Sequence, residues 1–140
     1  MSVEAVREVL REHGLLEAYR EFSTSSATVE LAAQAVGCEP GRIAKTLSFK
    51  TRQGPVLVVV MGTARIDNRK FKDCFGEKAV FPKGEEVPEL VGHPVGGVCP
   101  FAVRPGVRVF LDESLRAFDP VYPAAGAANN AVEISLADLE

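Results

Sequence analysis

The stretch Pro55-Val56-Leu57-Val58-Val59-Val60-Met61 is apolar from end to end, with no alternation of polar and apolar residues. A strand with one wet face alternates at period two, so a run without alternation demands burial on both faces. Its length is that of a strand and far short of a membrane span. Any fold for this chain must therefore place the run centrally, with layers packed on either side of it. Arg52-Gln53-Gly54 closes a hairpin back onto Ile43 to Lys50, which supplies one neighbouring strand.

Within that neighbour, Lys45 has the same parity as Leu47 and Phe49, so an ammonium is aimed at a face that carries core side chains. Desolvation disfavours a charge there by several kcal/mol unless it has a partner or a task. On one reading Lys45 only opens the strand at a wet sheet edge, its stem snorkelling outward. On the other it lines an anion or oxyanion site. The second reading draws on a distant glycine-rich turn, Gly92-His93-Pro94-Val95-Gly96-Gly97-Val98-Cys99-Pro100-Phe101. Gly96 and Gly97 let the backbone approach a ligand and turn N–H groups one way, while Pro94 and Pro100 stiffen the ends. Such a loop can hold a carbonyl oxygen or a phosphate; the alternative is a tight connection that simply requires glycine.

The remaining elements are short. Ser2 caps a helix with Val3, Val6, Val9 and Leu10 on one face, and Leu15 to Phe22 reads as more helix or a connector, giving a helical N-terminal segment over 2–22. Thr28 caps a second helix that ends at Gly37. Asp67 or Asn68 caps a third, with Phe71, Cys74 and Phe75 inward and Arg69, Lys70 and Lys72 outward. Strands are expected at Ala79 to Phe81, Val107 to Leu111, Val121 to Ala125 and Ala131 to Ile134, with helices at Gly84 to Val91 and Leu136 to Glu140. The fold class is α/β of the α+β type: a mixed, mostly antiparallel sheet or open barrel flanked by helices.

At 140 residues and 46% hydrophobic content, the chain is read as one domain spanning 1–140. A charge of −3 argues against a general nucleic-acid coat protein, and the start carries no basic segment before an apolar one, so no leader peptide and a cytoplasmic location are expected. Three widely spaced cysteines, Cys38, Cys74 and Cys99, fit reduced thiols. No pair has zinc-ligand spacing, and no Walker loop, dinucleotide fingerprint, EF-hand or Gly-x-Ser-x-Gly occurs, so neither metal nor cofactor is expected. Charge is uneven: residues 42–78 hold nine Lys/Arg against three acids, a basic block in an acidic protein. A block of that kind can guide a phosphate backbone to one face, or be no more than a solvated surface. Cys99 with His93 offers a cysteine–histidine pair on composition, although nothing marks either as activated.

Ala44-Lys45-Thr46-Leu47, the apolar strand ending at Gly62, the loop from Gly92 through Gly96-Gly97-Val98-Cys99-Pro100-Phe101, Asp112-Glu113-Ser114, Ala125-Gly126 and Val132-Glu133-Ile134-Ser135 occur in the order of a known family. From about Thr28 onward the chain resembles the YbaK-like family, which comprises free-standing aminoacyl-tRNA deacylases and the editing domain of bacterial prolyl-tRNA synthetases. The most specific parts are Ile-Ala-Lys-Thr-Leu at 43–47 and the Gly-x-x-x-Pro loop at 96–100.

The resemblance implies hydrolysis of the ester joining a wrong amino acid to the terminal adenosine of a tRNA. By position it makes Lys45 the essential lysine and Gly96 to Pro100 the substrate-carbonyl loop. The expected catalytic residues are Lys45, Gly96 and Gly97; the expected substrate-binding residues are Thr46, Val98, Cys99, Pro100, Phe101, Gly126 and Asn129. The expected partners are the acceptor end of an aminoacyl-tRNA and, as a further candidate, an aminoacyl-tRNA synthetase; no membrane and no metal are expected. Where some members carry a Ser-Gly-Gly-Lys-Arg-Gly type of turn, this chain has Ala124-Ala125-Gly126-Ala127-Ala128-Asn129, so the amino acid removed stays unassigned. Two other readings stay open: a non-catalytic module binding an aminoacyl-adenosine-like ligand, and a cysteine-dependent hydrolase using Cys99.

Overall fold

The computed structural model describes residues 2–139. Helix α1 spans Ser2–Glu12 and buries Val6 and Leu10. The expected cap from the Ser2 side chain lies outside what is described, as does Glu140. Helix does not extend over 2–22 as expected: Gly14 at φ 71 turns the chain, Leu16–Ala18 forms a single 3-10 turn, and Tyr19–Glu21 is strand β1. The residue that breaks the pattern is glycine, which alone adopts that φ without strain. Helix α2, Val29–Val36, is capped as its sequence requires: Thr28 Oγ1 accepts from the Leu31 N–H at 3.2 Å and Gly37 closes it in the left-handed region.

The hairpin of β2 (Ile43–Thr51) and β3 (Gly54–Met61) is the longest antiparallel ladder, with Lys45 opposite Val60 and Leu47 opposite Val58. β4 (Arg108–Leu111) joins β3 in parallel, and β5 (Tyr122–Pro123) joins β2 in parallel through Ile43 and Ala44 alone. The order β4-β3-β2-β5 makes β3 an inner strand, as its apolar run demands. β1 pairs antiparallel with β6 (Asn130–Val132), and a bridge from Val121 to Ile134 ties that ribbon to the end of the main sheet. The result is a curled, mixed sheet flanked by helices.

The two faces of β3 meet different layers. Val56, Val58 and Val60 pack with Phe49 and with Phe71 of α3 (Asn68–Phe75). On the opposite face, Val59 packs with Ala44, Cys99, Val121 and Val132 over α1, and Leu57 packs with Val87 and Val91 of α4 (Val87–Val91). Burying five such side chains contributes on the order of 10 kcal/mol before entropy is counted.

Three local expectations are corrected. Cys74 of α3 is exposed, because Phe71 and Phe75 already fill the stripe that faces the sheet. Ala79 to Phe81 is not a strand: among the described residues its main-chain pairing is one hydrogen bond, from the Lys50 N–H to the Val80 carbonyl at 2.8 Å. In β4 the alternation of Val107, Val109 and Leu111 with Arg108 and Phe110 would turn the first three inward, but the register sets Phe110 beside Val58 and so on the face that packs with Phe49 and Phe71, leaving Val109 and Leu111 exposed. α5, Leu136–Leu139, is a single turn.

Candidate active site

Because β5 covers β2 only at Ile43 and Ala44, the edge of β2 beyond them has no strand partner among the described residues. The Lys50 N–H, two and four residues beyond Ser48 and Thr46, points to that edge. Main-chain groups alternate sides along a strand, so Thr46 and Ser48 also turn their N–H and C=O to it. A cavity of about 400 Å³ runs along this edge. Its walls include Lys45, Thr46 and Ser48 of β2, Val29 and Ala32 of α2, Gly96 and Val98 of the glycine loop, and Asn130 of β6.

Lys45 leaves β2 on the face shared with Val60, and its ammonium donates to the Ala64 carbonyl just past β3. Its pKa is lowered from the ordinary lysine value, first by desolvation and then by the neighbouring Arg65, with Glu30 acting in the opposite sense. One acceptor leaves further ammonium hydrogens for a ligand. The parity argument for Lys45 therefore holds in space: it shares a face with Val60, and the residue is part of the cavity wall. Beside it, Thr46 Oγ1 is buried and has no hydrogen-bond partner among the described residues. A buried hydroxyl without a partner costs about 1–3 kcal/mol, a cost that a polar ligand group would remove.

The glycine loop contributes selectively. Gly96 at φ 88 and Val98 line the cavity, and their amides take part in no main-chain hydrogen bond among the described residues. Gly97 does not act as expected: its N–H donates to the Pro94 carbonyl at 3.0 Å, which closes the turn and removes it as an oxyanion donor. Its missing side chain serves contact instead, since a Cβ there would stand 2.5 Å from the Ala127 nitrogen.

Cys99, Pro100, Phe101, Gly126 and Asn129 are not among the residues of the cavity wall. Cys99 is fully buried, and burial pushes its thiol up to about 12. His93 Nε2 lies 3.5 Å from Cys99 Sγ but donates to the Phe101 carbonyl at 2.6 Å, so that nitrogen cannot also serve as a base. Phe101 packs against the core cluster of Cys99 and Leu115. The Gly126 N–H donates to the Gly97 carbonyl at 3.1 Å, and exposed Asn129 donates to the Phe22 carbonyl at 3.4 Å. These residues shape the loops behind the cavity.

It is Asn130, not Asn129, that stands in the cavity wall, and its side chain is engaged within the protein. Fully buried, its Oδ1 accepts from the Ala125 and Ala127 N–H groups at 3.0 and 3.3 Å, and its Nδ2 donates to the Tyr19 hydroxyl and the Ala125 carbonyl. It thus fixes the turn on which Gly97 rests. An Asn-Asn pair in sequence does not say which member turns inward; the β6 register does. Among the described residues no group of three or more His, Cys, Asp or Glu side chains gathers as a metal cluster, and no helix is long and apolar enough to cross a membrane.

A curled mixed sheet with Lys45 and Gly96 set in the wall of one cavity defines a small α+β domain. The chain belongs to the aminoacyl-tRNA editing domain family, whose profile matches residues 24–140. It is 44% identical over 140 residues to the uncharacterized protein YwhH of Bacillus subtilis, covering 99% of this chain and 89% of that one. It is 26% identical to EbsC of Enterococcus faecalis, named as a candidate Cys-tRNA(Pro)/Cys-tRNA(Cys) deacylase, over 84% of this chain and 75% of that one. A proline–tRNA ligase of Thermosipho melanesiensis is 33% identical over 64% of this chain, a match covering 16% of the ligase. The fold superposes with a TM-score of 0.88 on the crystal structure of a candidate trans-editing enzyme for prolyl-tRNA synthetase, at 32% identity over 99% of this chain and 88% of that one.

Proposed function

We propose that this chain acts in trans on mischarged aminoacyl-tRNA, hydrolysing the ester and clearing a small non-cognate amino acid. The observation that carries the reading is that Lys45 and Gly96 meet in the wall of one cavity, in a member of the editing family. Water adds to the ester carbonyl, and the oxygen that becomes negative is stabilised by the Lys45 ammonium with main-chain N–H groups of the glycine loop. Collapse of that intermediate breaks the bond to the ribose oxygen, which takes up a proton originating on the water. The free amino acid and intact tRNA leave. No protein nucleophile enters, and an activated ester needs little beyond positioning and electrostatics. Thr46 Oγ1, buried without a partner among the described residues, is read as a substrate contact.

On this reading residues 1–140 act as one deacylase domain in the cytoplasm. The relatives named as proline–tRNA ligases support the acceptor end of tRNA as the partner, and a synthetase as a further one. A second reading, binding of an aminoacyl-adenosine-like ligand without turnover, draws on the engaged amide of Gly97, which leaves the loop fewer donors for an oxyanion. Deacylation assays with Ala-, Ser-, Thr- and Cys-charged tRNAs separate the two: release of any of these amino acids above the spontaneous rate supports hydrolysis, and tight analogue binding with none supports the module.

A further inference from the structure

Phe81 and Val95 are the two most exposed large hydrophobic residues among those described, at 60% and 63%, and both line the mouth of the Lys45 cavity. Scattered exposed apolar residues need no explanation, but two on the rim of one cavity form a patch with a place. Both stand in the wall of the same cavity, and the chain just past Phe81 runs close to Val95: a Cβ at Gly84 would stand 3.8 Å from Val95 Cγ2. Nor is Phe81 loosely held. Its ring centroid lies 4.9 Å from that of Phe49, which is fully buried and lies 4.6 Å from that of Phe71, so Phe81 is the exposed end of a run of tilted ring contacts anchored in the core. The bond from the Lys50 N–H to the Val80 carbonyl pins the preceding residue. An aromatic surface is thus fixed before any ligand arrives, which lowers the cost of binding.

We infer that this rim is the docking platform for the terminal adenine base of the tRNA, which stacks on the exposed surface of Phe81 beside Val95. The inference rests on the deacylase reading. Of the two groups joined by the ester, the amino acid is the chain end and can enter the cavity, whereas the adenosine stays attached to the rest of the tRNA and must lie where the cavity opens. Every base has a π-face, and an anchored aromatic ring at a mouth is the usual way proteins hold one. Lys78 and Lys83, both exposed, flank Phe81 in sequence and suit the phosphates of the preceding nucleotides. A protein partner on the same patch is the competing occupant.

The chain contains no tryptophan, so Phe81→Trp places a single indole reporter at the rim. Its emission is titrated with an uncharged acceptor-stem RNA ending in adenosine, and with the same RNA ending in an abasic nucleotide. Saturable quenching by the first and none by the second is expected. Separately, Phe81→Ala and Phe81→Leu are expected to raise KM for mischarged tRNA roughly tenfold, with kcat little changed, and to lose the preference for the adenosine end. Leucine keeps apolar packing on Phe49 but has no stacking face, so its loss cannot be charged to misfolding. If wild type deacylates and both variants keep its KM, or the reporter answers both RNAs alike or neither, the inference is overturned while the deacylase reading stands. If wild type deacylates nothing yet the reporter distinguishes the two ends, base docking stands and the deacylase reading falls.

Discussion

The Gly126 N–H donates to the Gly97 carbonyl at 3.1 Å, which joins the turn before β6 to the loop that carries Gly96 into the cavity wall. The joint tolerates no side chain at Gly97, where a Cβ would stand 2.5 Å from the Ala127 nitrogen and 2.6 Å from the Gly126 carbonyl carbon. Gly97→Ala is therefore expected to push the two loops apart. Urea unfolding should show a loss of about 2–3 kcal/mol, and deacylation should fall at least tenfold.

Asn130 secures the other side of the same joint through four hydrogen bonds, all buried or partly buried. Asn130→Ala strands two main-chain amides and is expected to cost about 3 kcal/mol in the same unfolding measurement. Asn129→Ala, at an exposed position with one 3.4 Å bond, should cost under about 1 kcal/mol. Equal losses in the two variants would contradict the assignment.

Cys99 has its thiol pushed up to about 12 by burial, whereas Cys74 is exposed. Iodoacetamide near pH 7.5 should label Cys74 and leave Cys99 untouched until denaturant is added, as mass spectrometry of the labelled peptides would report. Deacylation should survive the labelling. Its loss on modification of Cys99 would restore the cysteine-hydrolase reading.

The alkaline limb of the deacylation profile offers a further check. Lys45 has its pKa lowered by desolvation and by Arg65, and only the protonated amine can hold an oxyanion. After subtraction of spontaneous hydrolysis, kcat/KM should fall as pH rises through a value below that of an ordinary lysine. Arg65→Ala removes one cause of the lowering and should move the limb upward. An unmoved limb would mean that another group sets it.

The legible part of this fold is the part in which local chemistry and burial agree. The unbroken apolar run demands an inner strand and becomes β3; Thr28 and Gly37 bound α2; Asp67 caps α3 by accepting from the Arg69 and Lys70 N–H groups. Lys45 is visible for the opposite reason, since an ammonium in phase with Leu47 and Phe49 conflicts with the pattern around it. What stays hidden depends on contacts distant in sequence. β1 exists because β6 pairs with it, and the engagement of the Gly97 amide by Pro94 follows from a turn geometry that glycine permits without revealing. Phe81 at the cavity mouth depends on its packing against Phe49, which no local pattern announces.

The central claim is that the Lys45 ammonium stabilises the charge that develops on an ester carbonyl. Single-turnover deacylation of a panel of mischarged tRNAs by wild type, Lys45→Ala and Lys45→Arg tests it most directly, with thermal unfolding run alongside. The account predicts a fall of about 10²–10³ in the rate constant for Lys45→Ala at unchanged fold, and partial retention in Lys45→Arg. A Lys45→Ala protein that clears the same tRNAs at the wild-type rate would contradict it.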